Sequence, residues 1–444
     1  MSKKELKDKV CQVIDDNSEK IIEAGSKIYQ NPELGYKETY ATDLIYDFFA
    51  KMDLRPEKNI AVTGCKAEKQ GKKEGPTLAV LGELDAVICP EHPDSAEDTG
   101  AVHACGHNIQ AGAMLGTALG LVLSGVMDQL SGSVQFMAVP AEEYVELEYR
   151  HNLREDGKIK YFGGKQELIQ RGYFDEIDLT MMIHSLDLDQ YQALIGPGGN
   201  GFVGKRVQFI GKESHAGSAP EEGVNALNAA MLAINNINAQ RETFADEEKI
   251  RVHPIITKGG DIVNIVPADV RMESYVRGKS IDGILDANKK VNRAIKSGAL
   301  AVGAEVKIND IPGYLPLLNN DQLDNLFRDN VREFVSAETI QEGSSFAGSF
   351  DFGDISHLMA SLHPFFGGVK GDLHTRNFEI IDEDLAYLTP AKSMAMTIID
   401  LLYDQAAKAQ EIIDNHQPVL SKEEYLELLE GVNKDIHFQG LEEE

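Results

Sequence analysis

The spacing of apolar residues predicts a chain that begins with helices and continues into short buried strands. Apolar side chains recur at helical spacing between residues 4 and 29, and Asn31-Pro32-Glu33 ends that pattern. Compact apolar runs at residues 77–85, 133–139 and 179–184 predict strands, and the uncharged, glycine-containing stretch of residues 109–127 predicts a buried helix between the first two. This order predicts an α/β fold, with a central sheet flanked by helices and reactive side chains at the strand ends.

A second domain is predicted after the glycine-rich run of residues 196–201, which is typical of a flexible joint. Strands near residues 202–210, 252–257, 269–276 and 306 alternate with helices at Val224–Gln240 and Asp282–Ser297. This unit of roughly 110 residues has a usual domain size. Helices and short apolar runs resume after residue 316, including residues 385–402. We therefore expect one domain made of residues 1–197 and 312–444, with residues 198–311 inserted in it.

Composition and charge narrow the class of protein. Apolar residues make up 42% and charged residues 26% of the 444, as in folded globular proteins. The 72 acidic side chains outnumber the 43 basic ones, and the formal charge of −29 repels nucleic acid and anionic membranes, so we expect neither as a partner. The first residues lack a secretory signal, which predicts a cytoplasmic location. Four cysteines without framework spacing predict free thiols: Cys11, Cys65, Cys89 and Cys105.

The segment from His103 to His107 is the first candidate for chemistry. It places the Cys105 thiol two residues before the His107 imidazole, ahead of the predicted helix, so that both can face one metal ion. On its own, the segment fits a buried structural cysteine beside a hydrogen-bonded histidine equally well.

Paired carboxylates and two further histidines extend this candidate site. Glu142 and Glu143 follow a predicted strand, where successive side chains point to opposite sides, so one can bind metal while the other takes a proton from water. Such a pair alone is more often a solvated surface pair. His184 and His374 each follow an apolar or glycine-containing run, and each alone fits a capping or surface histidine. Together these residues supply enough nitrogen, sulfur and oxygen ligands for two divalent ions.

Over nearly its whole length the chain resembles metallopeptidase family twenty, which includes aminoacylases, indoleacetyl-amino acid hydrolases, aminobenzoyl-glutamate hydrolases and related dipeptidases. The motifs that carry this resemblance occur in the family's order, and they lie at residues 82–85, 103–108, 140–143, 183–185, 214–220, 223–227 and 372–375. The resemblance implies a zinc-peptidase-like catalytic domain with a central mixed sheet flanked by helices. It also implies an inserted α+β, ferredoxin-like domain that serves as lid and dimerisation module.

The resemblance also implies roles for individual residues of the catalytic domain. Glu142 would be the general acid and base, and Asp85 would orient a ligand. Two divalent ions are expected, manganese or zinc first and cobalt or nickel as alternatives. The implied metal ligands are Cys105, His107, Glu143, His184 and His374.

For the inserted domain, the resemblance implies three more site residues and a homodimer. His215 and Asn264 resemble a histidine and an asparagine that reach an active site, often that of the partner subunit, where they stabilise the oxyanion. Arg277 resembles the arginine that binds a substrate carboxylate. Arg271 lies nearby, and a surface salt bridge is the alternative for either arginine.

Two departures from the family pattern affect the substrate and the site. Many relatives continue the cysteine motif with Asp-Gly-His, whereas this chain has Asn108-Ile-Gln110, which favours the branch of aminobenzoyl-glutamate hydrolases and dipeptidases. Many relatives also place His or Met where Glu83 stands. Glu83 could contact the site or face solvent, and we expect it to face solvent.

These observations predict a metal-dependent amidohydrolase acting on an N-acyl amino acid, an aminobenzoyl-glutamate-like conjugate or a short dipeptide. One alternative is a catalytically silent member of the same fold that binds a ligand or serves as a scaffold. Another is a thiol enzyme using Cys105 as nucleophile, although this cysteine has no resolving partner at C-x-x-C spacing.

Overall fold

The structure is a computed structural model that describes residues 1–343 and 346–440. Within this part of the chain the helices are α1 Lys3–Asp16, α2 Ser18–Tyr29, α3 Thr39–Lys51, α4 His107–Leu123, α5 Leu147–Glu155, α6 Gly164–Gln170, α7 Ala226–Gln240, α8 Ile281–Leu300, α9 Asp321–Val331, α10 Phe352–Ser356, α11 Thr389–Asn415 and α12 Lys422–Val432. Non-helical backbone angles interrupt α11 at residues 403–406.

The strands of the same part are β1 Glu57–Ile60, β2 Gly64–Gln70, β3 Lys73–Glu83, β4 Val87–Ile88, β5 Ala101–Val102, β6 Ser131–Val139, β7 Leu179–Met181, β8 His184–Ser185, β9 Ala193–Ile195, β10 Gly201–Ile210, β11 Arg251–Lys258, β12 Asp269–Gly278, β13 Glu305–Pro312, β14 Ile340–Glu342, β15 Ala360–Leu362, β16 Phe365–Phe366, β17 Val369–Lys370, β18 Glu379–Ile380 and β19 Lys434–Phe438.

Residue contacts divide the chain into two compact units. The first comprises Met1–Gly198, Leu318–Phe346 and Asp354–Val419, and the second comprises Gly199–Leu317, Ala347–Gly353 and Leu420–Glu444. The ranges expected from the sequence placed all of residues 312–444 with the first domain, whereas α12 and β19 lie in the second unit. The reason is a long-range strand pairing, β19 with β13, which the local pattern of residues 434–438 does not reveal.

The first unit is built on a six-stranded mixed sheet in the order β1-β2-β6-β3-β7-β15. The strands β6, β3, β7 and β15 run parallel to one another, while β2 pairs antiparallel with both β6 and β1. The predicted strands of residues 77–85 and 133–139 correspond to β3 and β6. Because carboxyl ends of parallel strands meet at one edge of a sheet, β3 and β6 deliver the residues after them to the same place.

Helix α4 is the predicted buried helix, and its first fifteen residues are buried. It packs against α1, α2 and α11. Glycine permits the close approach to α1, since a Cβ on Gly120 would lie 2.6 Å from Cγ1 of Ile14. The described helices include none that combines the length and the apolar character needed to cross a membrane.

The predicted strand at residues 179–184 is interrupted. Its first part is β7 in the large sheet, whereas His184 begins β8 in a separate four-stranded sheet of order β14-β9-β16-β8. The chain therefore leaves the large sheet just before His184, whose backbone nitrogen donates to the oxygen of Pro364 at 3.0 Å.

The second unit has the element order β10-α7-β11-β12-α8-β13, the β-α-β-β-α-β order of ferredoxin-like domains. All pairings in its sheet are antiparallel, and the strand order is β11-β12-β10-β13-β19. Apolar residues of the strands and of α7 and α8 form its core. The predicted mixed α/β fold with an inserted ferredoxin-like domain is thus confirmed, with β19 as an added edge strand.

Candidate metal centre

Candidate ligands gather where the parallel strands of the first unit end. Glu83 is the last residue of β3 and Asp85 follows it, while Glu142 and Glu143 come soon after β6. All four side chains are buried. Helix α4 begins at His107 and contacts β3 and β8. The acidic residues after β3 and β6 and the histidine at the start of α4 therefore form one cluster.

Cys105, His107 and His184 form one group of candidate ligands. One potential ligand atom from each lies within 4.8 Å of the others, and all three residues are buried. The Cys105 sulfur is 3.7 Å from Nε2 of His184. Gly106 has a φ of 76°, a left-handed conformation that favours glycine, and a Cβ there would collide with Oγ of Ser185. The glycine thus allows a thiol and an imidazole two residues apart to converge.

Cys105 is also part of a second group, with Glu143 and His374. Nε2 of His374 lies 3.0 Å from Oε1 of Glu143. The His374 backbone has a φ of 62°, and its nitrogen donates to the oxygen of Ala104 at 2.8 Å, which ties this loop to the cysteine segment. The His374 side chain is 51% exposed, so this group is the one open to solvent. Cys105 is therefore the residue that these two groups of candidate ligands share.

Asp85 contacts members of both groups. Nδ1 of His107 lies 2.8 Å from the backbone oxygen of Asp85 and 3.2 Å from Oδ1. The other carboxylate oxygen accepts a hydrogen bond from the backbone nitrogen of Glu143 at 2.8 Å. These contacts leave Nε2 of His107 to face the centre, which is how a carboxylate orients a metal-binding imidazole.

Glu83 and Glu142 form a third group with His107. Oε2 of Glu142 is 3.9 Å and Oε2 of Glu83 is 3.1 Å from Nε2 of His107. The expectation that Glu83 faces solvent is wrong, because its side chain is 1% exposed and forms an ion pair with the buried Lys165. Lys165 is 82 residues away in the sequence, so the local pattern around Glu83 gave no sign of it.

Comparison with known proteins identifies the family. Residues 79–395, which include every candidate ligand described above, match peptidase family M20/M25/M40. The chain belongs to this family. This match confirms the family that the sequence motifs predicted.

Similar proteins extend over most of its length. The Xaa-Arg dipeptidase of Homo sapiens is 29% identical, and that of Mus musculus is 30% identical; each match covers 99% of this chain and 94% of the relative. A dinuclear metal-binding peptidase of the M20 family from Bacillus subtilis has a similar fold, with a TM-score of 0.65 and 19% identity over 86% of this chain and 98% of that one. The M20-family chain is therefore a metal-dependent hydrolase acting on peptides or amides.

The charges of the M20 site shift the pKa values of its candidate ligands. Burial and the Glu143 carboxylate raise the pKa of the Cys105 thiol, but His374, His107 and His184 outweigh them and lower it to about 6. Burial also raises the pKa of Glu143, and the adjacent His374 overcomes this and lowers it to about 2. The Glu143 carboxylate raises the pKa of His374 to about 12. Thiolate and carboxylate are the forms that bind metal, and a cation would displace the imidazole protons.

The loop that carries Glu142 and Glu143 is held by residues that the sequence analysis missed. Ala141 has a φ of 56°, and its nitrogen donates to Oε1 of Glu38 at 2.8 Å. The fully buried Arg150 donates to the backbone oxygens of Ala141 at 3.3 Å and Glu143. Arg150 lies on the short helix α5 and is not part of a recognisable sequence motif, so only the fold shows its contacts with this loop.

The three residues predicted in the inserted domain lie in the second unit. His215 and Asn264 are neighbours there: His215 pairs with Ile265 in an isolated antiparallel bridge, and the Ala216 nitrogen donates to the Asn264 oxygen at 2.9 Å. His215 and Asn264 are exposed. Arg277 lies on β12 with its guanidinium 5.4 Å from the ring centre of Tyr275. Their roles in this M20-family chain stay predictions.

Proposed function

We propose that this chain is a two-metal amidohydrolase that cleaves a short dipeptide, an N-acyl amino acid or an aminobenzoyl-glutamate-like conjugate. The observation that carries the proposal is the convergence of two groups of candidate ligands on the shared Cys105 sulfur, with Glu142 beside them. Its similarity to Xaa-Arg dipeptidases over 99% of the chain supports the dipeptide as the first substrate to test. Divalent manganese or zinc fits best, and cobalt and nickel are alternatives.

The donor set fits two divalent ions. Atoms that bind one ion at roughly 2.0–2.3 Å lie about 3–3.7 Å from each other. The sulfur of Cys105 and Nε2 of His184 are 3.7 Å apart, and Nε2 of His374 and Oε1 of Glu143 are 3.0 Å apart. Nε2 of His107 is buried and forms no hydrogen bond with any residue that the structure describes. Oε2 of Glu83 lies 3.1 Å from this nitrogen, so an ion bound to Nε2 would also be close to a carboxylate.

In this mechanism Cys105, His107 and His184 would hold one ion, and Cys105, Glu143 and His374 would hold the other. Bound ions would acidify a water molecule and polarise the amide carbonyl. Glu142 accepts the proton of the attacking water and later delivers it to the leaving amine, since a buried carboxylate within the site can serve both steps. Asp85 keeps the His107 ring and the Glu143 backbone in place.

The second unit supplies groups for the substrate in this proposal. His215 and Asn264 stabilise the oxyanion that forms on the carbonyl, and their proximity within the unit supports a joint role. Arg277 binds the substrate carboxylate through its planar guanidinium. Arg271, the competing candidate, is 55% exposed and pairs with Asp269 at 3.3 Å, which favours Arg277.

We also propose a homodimer formed through β11. This strand is at one edge of the second unit's sheet, and its Ile255 and Ile256 side chains are exposed, as is Val263 in the following loop. An apolar edge strand is suited to pairing with a second copy. Sedimentation of the Ile255→Lys variant should show a shift toward monomer. A fully active wild-type monomer would contradict both the dimer and a role for His215 in the partner subunit.

The decisive experiment compares Glu142→Gln with wild type. We expect turnover to fall by about 10²–10⁴-fold, the usual contribution of a general base, while the metal content stays unchanged. Metal content is measured by mass spectrometry. Turnover is measured with Xaa-Arg dipeptides, N-acyl amino acids and aminobenzoyl-glutamate as substrates, with manganese, zinc or cobalt added. The exposed Glu148 on α5 provides the matched control, Glu148→Gln, which should behave as wild type.

Two results would overturn the proposal. Near-normal turnover of the Glu142→Gln variant would exclude Glu142 as the general base. A wild-type protein purified without chelator that holds no metal and hydrolyses none of the panel would instead favour the catalytically silent, ligand-binding member of the fold.

A further inference from the structure

Two of the positions at which the sequence departs from the family pattern, Glu83 and Gln110, contact each other. Nε2 of Gln110 donates to Oε2 of Glu83 at 2.7 Å, and the backbone nitrogen of Glu83 donates to Oε1 of Gln110 at 3.3 Å. The opposite carboxylate oxygen, Oε1, pairs with Lys165, whose side chain has no exposed surface. The Glu83 carboxylate is therefore buried and fixed from two sides.

The remaining side of this carboxylate faces His107. Oε2 of Glu83 is 3.1 Å from Nε2 of His107, which is within ion-pair distance. Because Asp85 engages Nδ1 of the same ring, Nε2 is the nitrogen presented to the centre. A separation of 3.1 Å also suits two atoms that bind one ion at about 2.0–2.2 Å with an angle near 90–100° between them.

We propose that Glu83 is a further metal ligand, which binds the same ion as His107 and is held in place by Gln110 and Lys165. This inference rests on the two-metal hydrolase proposed above and adds a ligand to it. It gives the His107 side of the centre an anionic oxygen ligand and leaves proton transfer to Glu142. The departures from the family pattern at positions 83 and 110 are then explained together, because the Gln110 amide fixes the orientation of the Glu83 carboxylate.

A buried lysine–carboxylate pair in the second unit shows what a purely structural arrangement looks like in this chain. Lys205 pairs with Asp310, and both are buried. Asn288 and Asn292 donate to Oδ2 of Asp310 at 2.8 and 2.7 Å. Asp310 thus contacts a lysine and two asparagines, whereas Glu83 also lies close to a candidate metal ligand. Asp310 is therefore the matched control for Glu83.

The test is metal binding by the Glu83→Gln variant, whose side chain has nearly the same shape. Metal-free full-length protein is titrated with Co²⁺, and binding is followed by calorimetry and by the visible absorption of the bound ion. We expect wild type to bind two ions and Glu83→Gln to bind one of them at least tenfold more weakly, with altered visible bands. Asp310→Asn, if folded by circular dichroism, should bind both ions with wild-type affinity and spectrum.

Unchanged affinity and spectrum in Glu83→Gln would overturn the assignment. If that variant does not fold, Gln110→Met serves instead, because it keeps the carboxylate and removes the amide that orients it. We expect the same ion to bind several-fold more weakly in Gln110→Met, and wild-type binding would count against the proposal. A wild-type protein that binds no Co²⁺ would reject the two-metal function itself, whereas wild type with two ions and an unaffected Glu83→Gln rejects only the role of Glu83.

Discussion

The Oδ2 atom of Asp85 accepts a hydrogen bond from the backbone nitrogen of Glu143, 58 residues later in the chain. Its Oδ1 atom lies 3.2 Å from Nδ1 of His107. One carboxylate therefore fixes an imidazole at the start of α4 and the loop after β6. The arrangement of candidate ligands depends on this side chain, although Asp85 itself belongs to none of the three ligand groups.

Replacing Asp85 should weaken metal binding. An asparagine keeps the size but can no longer accept hydrogen bonds through both oxygens, so we expect Asp85→Asn to lose about 10–100-fold in metal affinity. Titration with Co²⁺ measures this loss. The control is Asp178→Asn, because Oδ2 of the exposed Asp178 accepts from the Thr77 nitrogen at 2.8 Å in the same sheet. Equal affinities of Asp85→Asn and wild type would show that the carboxylate does not orient the ligands.

Cys105 distinguishes a metal enzyme from a thiol enzyme. Since its sulfur belongs to two candidate groups, we expect Cys105→Ser to weaken the binding of both ions, whereas His374→Gln should weaken one. Alkylation should leave the metal-loaded enzyme active and block reloading of the metal-free protein, because coordination occupies the thiolate. Loss of turnover on alkylation with both ions retained would instead identify Cys105 as a nucleophile.

Arg150 should affect both stability and turnover. It donates to three backbone oxygens, those of Ala141, Glu143 and Phe162, and a methionine would fill its space without donating. Each buried acceptor left without a donor costs about 1–3 kcal/mol, so Arg150→Met should unfold at lower urea concentration. We also expect kcat to fall with little change in KM, since the loop of Glu142 loses its support.

The control for Arg150 is Arg154→Met on the same helix, because the Arg154 guanidinium lies 5.0 Å from the Phe162 ring centre and is part-buried. A lower stability with unchanged kcat in Arg150→Met would limit this arginine to a structural role.

Glu38 should make stability depend on pH. Burial, with a further contribution from Asp85, raises the pKa of Glu38 from 4.5 to about 8. The protonated form is thus favoured by folding, so its stabilising contribution is complete below about pH 4.5 and is lost as the pH rises through about 8. The Glu38→Gln variant should lack this part of the decline in unfolding free energy, as measured by urea unfolding across that range. The exposed Glu19→Gln should keep the wild-type pH dependence, and an identical dependence in Glu38→Gln would contradict the raised pKa.

The sequence predicted the parts of the site that short motifs encode. The spacing of Cys105 and His107 and the pair Glu142-Glu143 are local patterns, and β3 and β6 were visible as apolar runs. Glu83 was misjudged because its burial depends on Lys165, which another part of the chain supplies. The support of Ala141 by Glu38 and Arg150 was missed for the same reason: each contact joins residues that are distant in sequence or separated by a loop. Periodicity predicts which face of an element is apolar, and it contains no information on which charged groups meet inside the fold.

The pairing of β19 with β13 has a consequence for biosynthesis. Residues 434–438 leave the ribosome after residues 313–433, so the outer hydrogen-bonding groups of β13 have no partner strand while that intervening segment is synthesised. A nascent chain with an open strand edge is prone to pair with other chains. A premature stop codon shortly before residue 434 would therefore release a polypeptide in which β13 lacks its edge partner, and such a polypeptide is expected to bind chaperones.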